Sequence, residues 1–485
     1  MAAAGALRPA AVSVAEAAAH AGSLYDELDL DALPPQLRRN SLDYYYLSVW
    51  PGLAHLPEVE AVAAPAGPVR AAYVHLPFCS GLCHFCSYFV VVARDPAHDD
   101  RLDRYVDLLL LELDLHRDRC ELDVSYLYFG GGTPSLLAPR QLDRLLTGFE
   151  EMGVLGEGLL GSIEAHPELF ADAPRARSFL DVLDAHGITR VSVGMESADD
   201  ALLAATNRRH RADGVAGVVE LLRDRGLLVN LDLMYGLPGQ SLETWIASLQ
   251  AALALDPDSV STYFTFVDPG TRLWHQIRRG ETELPDHRLV QTQHLAAQSL
   301  LEEAGHLELP GDFWSVPDTE PAAFVQETLP SDARSLGLGA GAYGFYDRTQ
   351  YFNEFGLGAY ANRLRRREVP VWRAAALDAR QSRCRDVMFS FKNAPHLDLA
   401  LFSARHGSSP LAEWPDEFRR LEELRLVDID RDRVRPTAKG RLVAEEVACM
   451  FEPAGHHAGV RLDGAPPLVR RHNYAPTYSA PAARA

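Results

Sequence analysis

From residue 70 to about residue 266, short apolar runs alternate with longer segments in which apolar positions recur every three to four residues. The short runs fall at 72–76, 125–129, 162–165, 190–195, 228–234 and 259–266, where their length and bounding turn residues predict buried strands. Between them, 100–116 and 213–225 have helical spacing, and 241–255 predicts a helix behind the turn Gly236-Leu237-Pro238-Gly239. This alternation predicts repeated β-α units and a parallel sheet, an α/β fold. The spacing alone leaves an open sheet and a barrel both available. In either, ligands gather at the carboxyl ends of the strands.

The flanks read differently. Residues 1–68 form an N-terminal extension that opens with an alanine-rich, helix-like piece and carries an aromatic patch, Tyr44-Tyr45-Tyr46 with Trp50. The patch packs the extension on the core or lines an entrance to the site. The α/β part spans 69–310 and ends in a helix at 287–303. A glycine-rich connection follows at 311–374, and its run Leu336-Gly337-Leu338-Gly339-Ala340-Gly341 lacks the strand-to-helix setting of a dinucleotide site. Residues 375–455 predict a compact helical domain with a short wing, which resembles a winged helix. From 456 to 485 the chain is rich in Pro, Ala and Arg and is expected to be disordered.

Composition narrows the function. With 485 residues, 47% of them hydrophobic, the chain can bury a large core in two or three domains. A net charge of -20 opposes binding to a nucleic-acid backbone or an anionic membrane, both of which select a basic face. A small-molecule substrate is expected. No apolar run reaches the ~18 residues of a membrane helix. The N-terminus also lacks the charged start and apolar centre of an export signal, so a cytoplasmic location is expected.

Chemistry concentrates in Tyr73-Val74-His75-Leu76-Pro77-Phe78-Cys79-Ser80-Gly81-Leu82-Cys83-His84-Phe85-Cys86. Half of the six cysteines lie here, spaced C-x3-C-x2-C on a loop after the first predicted strand; Cys120, Cys384 and Cys449 are remote and are read as core thiols. Three thiolates can hold three irons of a [4Fe-4S] cube and leave the fourth open, whereas most protein clusters use four cysteines. Structural zinc would need a fourth ligand, and His84 sits awkwardly between two of the cysteines. A disulfide set is disfavoured by the odd number and the absence of an export signal.

These residues resemble the radical SAM superfamily and, within it, the oxygen-independent coproporphyrinogen III oxidase-like group. The likeness runs to roughly residue 451. It implies a partial (β/α)6 TIM-like barrel with a C-terminal winged-helix-like cap, a [4Fe-4S] cluster on Cys79, Cys83 and Cys86, and S-adenosylmethionine (SAM), two molecules in some members. It also implies an electron donor such as a flavodoxin or ferredoxin. In such proteins the open iron chelates SAM, and one electron splits it to methionine and a 5'-deoxyadenosyl radical. Carried over by position, Tyr73, Gly131, Gly132, Thr133 and Glu164 contact SAM. Glu196, Arg208 and Asp232 surround a second SAM or the substrate, and Glu196 and Arg208 are the candidates for a part in catalysis. Phe85 packs on an adenine, while Phe266 and Tyr343 match contact positions without matching residue type.

Two departures from the oxidases bear on the reaction. Tyr88 stands where they carry a further cysteine, and Glu196 stands where they have glutamine. Both point toward the similar class C methyltransferases and cyclopropanating enzymes, and so to methyl or methylene transfer onto an sp2 carbon of an aromatic or heteroaromatic metabolite. The alternatives are oxidative decarboxylation of coproporphyrinogen III and a haem chaperone with His75 or His84 as axial ligand.

Overall fold

The computed structural model describes residues 12–38, 51, 56–93, 99–268, 270–309, 312–316 and 334–452. The expected aromatic patch at 44–50 and the expected disordered tail from 456 lie outside the described residues. Six parallel strands form in the predicted places: β1 (Val69–Leu76), β2 (Leu122–Gly131), β3 (Leu155–Ala165), β4 (Ile188–Glu196), β5 (Leu228–Tyr235) and β6 (Ser259–Phe264). They stand side by side in chain order. The sixth stops two residues short of expectation, and the Thr265 N–H and hydroxyl just beyond it both donate to the Tyr235 carbonyl at 2.8 Å.

Helices α2 (Asp100–Arg117), α3 (Pro139–Glu151), α4 (Ala173–Ala185), α5 (Asp200–Ala205), α6 (Gly214–Arg223) and α7 (Leu242–Leu253) fill the crossovers. Their starts are chemically marked. Asp99 caps α2, Pro139 occupies the first turn of α3, and Ser241 caps α7. After β6 come α8 (Arg272–Arg278) and α9 (His287–Glu303), and the N-terminal α1 (Val14–Glu27) packs on α7 and α9. Along β4, Val191, Val193 and Met195 bury themselves beneath the helices, while Arg190, Ser192 and Gly194 face the other way. The period of two therefore separates an apolar outer layer from a polar interior.

Much of the glycine-rich connection is sheet. Strand β9 (Ser335–Leu338) pairs in parallel with the free side of β1, and β10 (Tyr343–Tyr346), β11 (Thr349–Asn353) and β12 (Val371–Ala376) extend it antiparallel. At the other edge β8 (Phe313–Ser315) pairs with β6 and with β7 (Leu307–Leu309). The result is one twelve-stranded sheet, β12-β11-β10-β9-β1-β2-β3-β4-β5-β6-β8-β7. Glycines permit the close join: Gly339 has φ of +104°, and a Cβ there would lie 2.5 Å from the His75 carbonyl.

A buried carboxylate ties this join together. Glu112 on α2 accepts the Gly339 N–H at 2.7 Å, the Asn353 amide at 2.7 Å and the Tyr360 hydroxyl at 2.5 Å. Beside it Tyr105 takes the Ala340 N–H and donates to the His75 carbonyl, both at 2.8 Å. At the C-terminal end, the order of a helix at Ala379–Asn393, a strand at Leu397–Asp398, helices at Leu399–His406 and Pro415–Glu423, and paired strands at Val427–Ile429 and Arg433–Pro436 is that of a winged helix. The helix Pro415–Glu423, at the place of a recognition helix, carries four carboxylates against two arginines, a balance that does not suit phosphate.

Burial is the main force that lifts the Glu112 carboxyl from its ordinary 4.5 to about 7. The folded chain then holds this proton more tightly than the unfolded chain. Stability due to Glu112 is full below pH 4.5 and is lost as pH rises through 7, a fall of about 3 kcal/mol. Glu112→Gln is expected to flatten that part of the profile, as read by thermal unfolding at pH 4.5, 6 and 8.

Candidate metal centre and cofactor site

The cysteine loop leaves the carboxyl end of β1 and is pinned at both ends. Phe78–Cys79 pairs in parallel with Val91–Val92, and the Ala93 N–H donates to the Cys79 carbonyl at 2.9 Å. Its tip is clamped from two sides. The His84 N–H donates to the Thr206 carbonyl at 3.0 Å, the Asn207 amide to the Leu82 carbonyl at 2.7 Å, and the Leu273 N–H to the His84 carbonyl at 2.8 Å. All three cysteines are free thiols. Burial pushes the Cys79 thiol up to about 11 and raises Cys83 and Cys86 as well. Thiols in this state become thiolates when a metal binds, with loss of the proton.

Two side chains reach the sulfurs. The Thr133 hydroxyl donates to Cys79 Sγ at 3.4 Å, and Arg208 Nη1 donates to Cys83 Sγ at 3.9 Å. Among the described residues no three His, Cys, Asp or Glu side chains are grouped to hold a single metal ion. An iron–sulfur cube needs no such convergence, because each thiolate binds its own iron. The donor set therefore fits a [4Fe-4S] cluster on three cysteines.

The polar interior lies beside this loop. Gly131 has φ of +108°, and a Cβ there would sit 2.5 Å from the His75 ring; at Gly132 it would meet the Phe78 carbonyl at 2.7 Å. The structure gives the N–H groups of Gly132 and Thr133 to the carbonyls of Leu76 and Phe78, each at 2.8 Å. The loop thus fastens β2 to the start of the cysteine loop. Glu164 on β3 accepts the Tyr128 hydroxyl at 2.9 Å, and burial, then the neighbouring Asp232, lifts its carboxyl to about 7. Asp232 on β5 accepts from Ser192 at 2.7 Å and Asn230 at 2.8 Å, and burial raises it too.

At the end of β4, Glu196 pairs with Arg208, whose Nη2 also donates to the Gly194 carbonyl at 2.9 Å. Tyr73 stands next to Tyr343 and Tyr128, ring centroids 5.6 and 6.2 Å away, and its hydroxyl meets His75 Nδ1 at 2.8 Å. Phe85 is half-buried on the cysteine loop, and Phe266 is half-buried against the main core. Of the anticipated residues, Tyr73, Glu164, Glu196, Arg208, Asp232, Tyr343 and the glycine loop therefore border one polar interior, whereas Phe266 packs toward the hydrophobic core.

Residues 73–252 match the radical SAM superfamily. The heme chaperone HemW of Mycobacterium tuberculosis is 31% identical over 403 residues, covering 82% of this chain and 96% of the relative. The chain belongs to the radical SAM superfamily, in its coproporphyrinogen III oxidase-like group. The oxygen-independent coproporphyrinogen III oxidase of Bradyrhizobium diazoefficiens is 28% identical over 404 residues, covering 80% of this chain and 88% of the relative. Coproporphyrinogen III oxidase (HemN) from Escherichia coli, described as a radical SAM enzyme, superposes with a TM-score of 0.69 at 26% identity, over 80% of this chain and 91% of that one.

Membership brings the cofactors with it: this family works with a [4Fe-4S] cluster and SAM. When bound, the pair supplies one-electron cleavage of the sulfonium. The residues around them hold and orient. Among the described residues no helix is long and apolar enough to cross a membrane.

Sequence reasoning passed over Tyr128, Arg190 and Tyr88 as site residues. Tyr128 and Arg190 are on inward positions of β2 and β4, with Arg190 held by Ser162 at 2.9 Å, and counting back by twos from Gly130 and Gly194 on those same strands finds them. The Tyr88 hydroxyl is raised first by burial and then by the charge of Glu164. No local period marks it. Replacing Cys83 by Ala is expected to remove the cluster's visible absorbance and bound iron after anaerobic reconstitution, while Cys120→Ala leaves both unchanged.

Proposed function

We propose that the protein splits SAM reductively and uses the resulting 5'-deoxyadenosyl radical to take a hydrogen atom from a small organic substrate. The observation that carries this is the loop of three free, desolvated thiols fixed beside a polar interior that holds Glu164, Glu196 and Asp232. The polypeptide's part is orientation and exclusion of water.

For the step on the substrate, the relatives support oxidation of a coproporphyrinogen III-like compound, since both the oxidase of Bradyrhizobium diazoefficiens and the solved Escherichia coli enzyme align over four-fifths of the chain. That reading takes precedence here over methyl or methylene transfer. Transfer is favoured by one feature, the charge of the interior. Three carboxylates face Arg190 and Arg208, and Glu196 already occupies Arg208, so a substrate with several carboxylates meets more repulsion than attraction. The chaperone reading is favoured by the HemW likeness. It loses His75 as an axial ligand, because that ring is 3% exposed and its two nitrogens lie 2.8 Å from the Tyr73 hydroxyl and 3.4 Å from the Phe89 carbonyl.

One anaerobic experiment separates these outcomes. Reconstituted protein is mixed with SAM, dithionite and either coproporphyrinogen III or an aromatic acceptor, and the products are read by mass spectrometry. Methionine and 5'-deoxyadenosine with loss of carbon dioxide from the porphyrinogen is the expected result. A methylated product with S-adenosylhomocysteine would replace oxidation by transfer. A haem Soret band without SAM cleavage would replace both by the chaperone.

A further inference from the structure

Glu196 is an unusual residue for its place. Among the described residues it is the one non-glycine position inside a strand with a left-handed backbone, φ of 59°. It sits where the β4–β5 register slips, Gly194 pairing with Asp232 and Glu196 with Leu233. Such an irregularity re-aims a side chain, and here it sends the carboxylate to Arg208. The guanidinium lies in the space left by the missing Cβ of Gly194, donates to that residue's carbonyl at 2.9 Å, and reaches Cys83 Sγ at 3.9 Å with its other end. Both partners are close to nine-tenths buried, 11% and 12% exposed. Among the described residues Arg208 Nε has no hydrogen-bond partner. The chain thus runs carboxylate, guanidinium, sulfur in a desolvated setting where charges act strongly.

We propose that Glu196 is a positioning residue for the iron–sulfur site: it pins Arg208 against Cys83 and offsets the guanidinium charge, so that the cluster is a stronger reductant than Arg208 alone would allow. The sign follows from the added electron. Reduction puts one negative charge on the cluster, a nearby cation favours that state, and hydrogen bonds and charges at the sulfurs set the potential. Cancelling the cation therefore lowers the potential, which suits delivery of an electron to a sulfonium. The inference rests on the reading that Cys79, Cys83 and Cys86 hold the cluster.

The test is a potentiometric titration of the reconstituted full chain without SAM, followed by the electron paramagnetic resonance of the reduced cluster. Glu196→Gln keeps the shape and removes the charge. It is expected to shift the one-electron equilibrium toward the reduced form by about tenfold, an upward move of about 59 mV. In an Arg208→Gln background the same change should produce a clearly smaller shift, because the guanidinium no longer holds the carboxylate beside Cys83. An unmoved potential in Glu196→Gln, or an equal shift in both backgrounds, overturns the proposal. If Glu196→Gln does not assemble a cluster, Arg208→Gln alone decides: a lower potential supports the proposal and an unchanged one ends it. A wild-type chain with no [4Fe-4S] signal would instead refute the cluster itself.

Discussion

Three partly buried free thiols on one short loop are available to a metal that takes their protons. Much of the fold serves to keep that arrangement in place. The carboxyl end of β1 is held from one side by the amides of Gly132 and Thr133 and from the other by Tyr105, which bonds the His75 carbonyl. The tip of the loop is fastened to the segment after α5 and to the start of α8. Each hydrogen bond is modest in net terms, but a backbone group left unpaired there would cost more than the bond returns. The loop therefore has one conformation to present to iron.

The interior beside it gets its polarity from the sheet's period of two. Outward residues such as Val191, Val193, Leu231 and Leu233 complete the core under the helices. The alternate positions are thereby free of packing duty, and they carry Glu164, Asp232, Arg190 and the serines and asparagine that hold them. Burial raises every one of these carboxyls, so hydrogen bonds and the two arginines decide how much charge a ligand meets. Arg208 is the most consequential, because it is shared between a carboxylate and a cysteine sulfur.

Beyond β1 the sheet continues into the glycine-rich connection. The run Leu336–Gly341 has the composition of a flexible segment, but its first part is strand and its glycines are consumed by close approach to β1 and β10. Glu112, reaching from α2, satisfies the amides that this approach would otherwise strand. The catalytic side of β1 is thus braced by a neighbour that contributes stiffness.

The chain by itself determined the six strands and three of the helices between them, and it clustered three cysteines after the first strand, because hydrophobic period and residue spacing are relations between near neighbours. The likeness carried by the Tyr73–Cys86 stretch added the family and the cofactors. Only the folded molecule decided that the Gly132 and Thr133 amides bond Leu76 and Phe78, and that Arg208 bridges Glu196 to Cys83. Those relations join residues 12 to 125 positions apart. They depend on strand register, on one left-handed residue and on a missing Cβ, none of which leaves a periodic trace in the sequence.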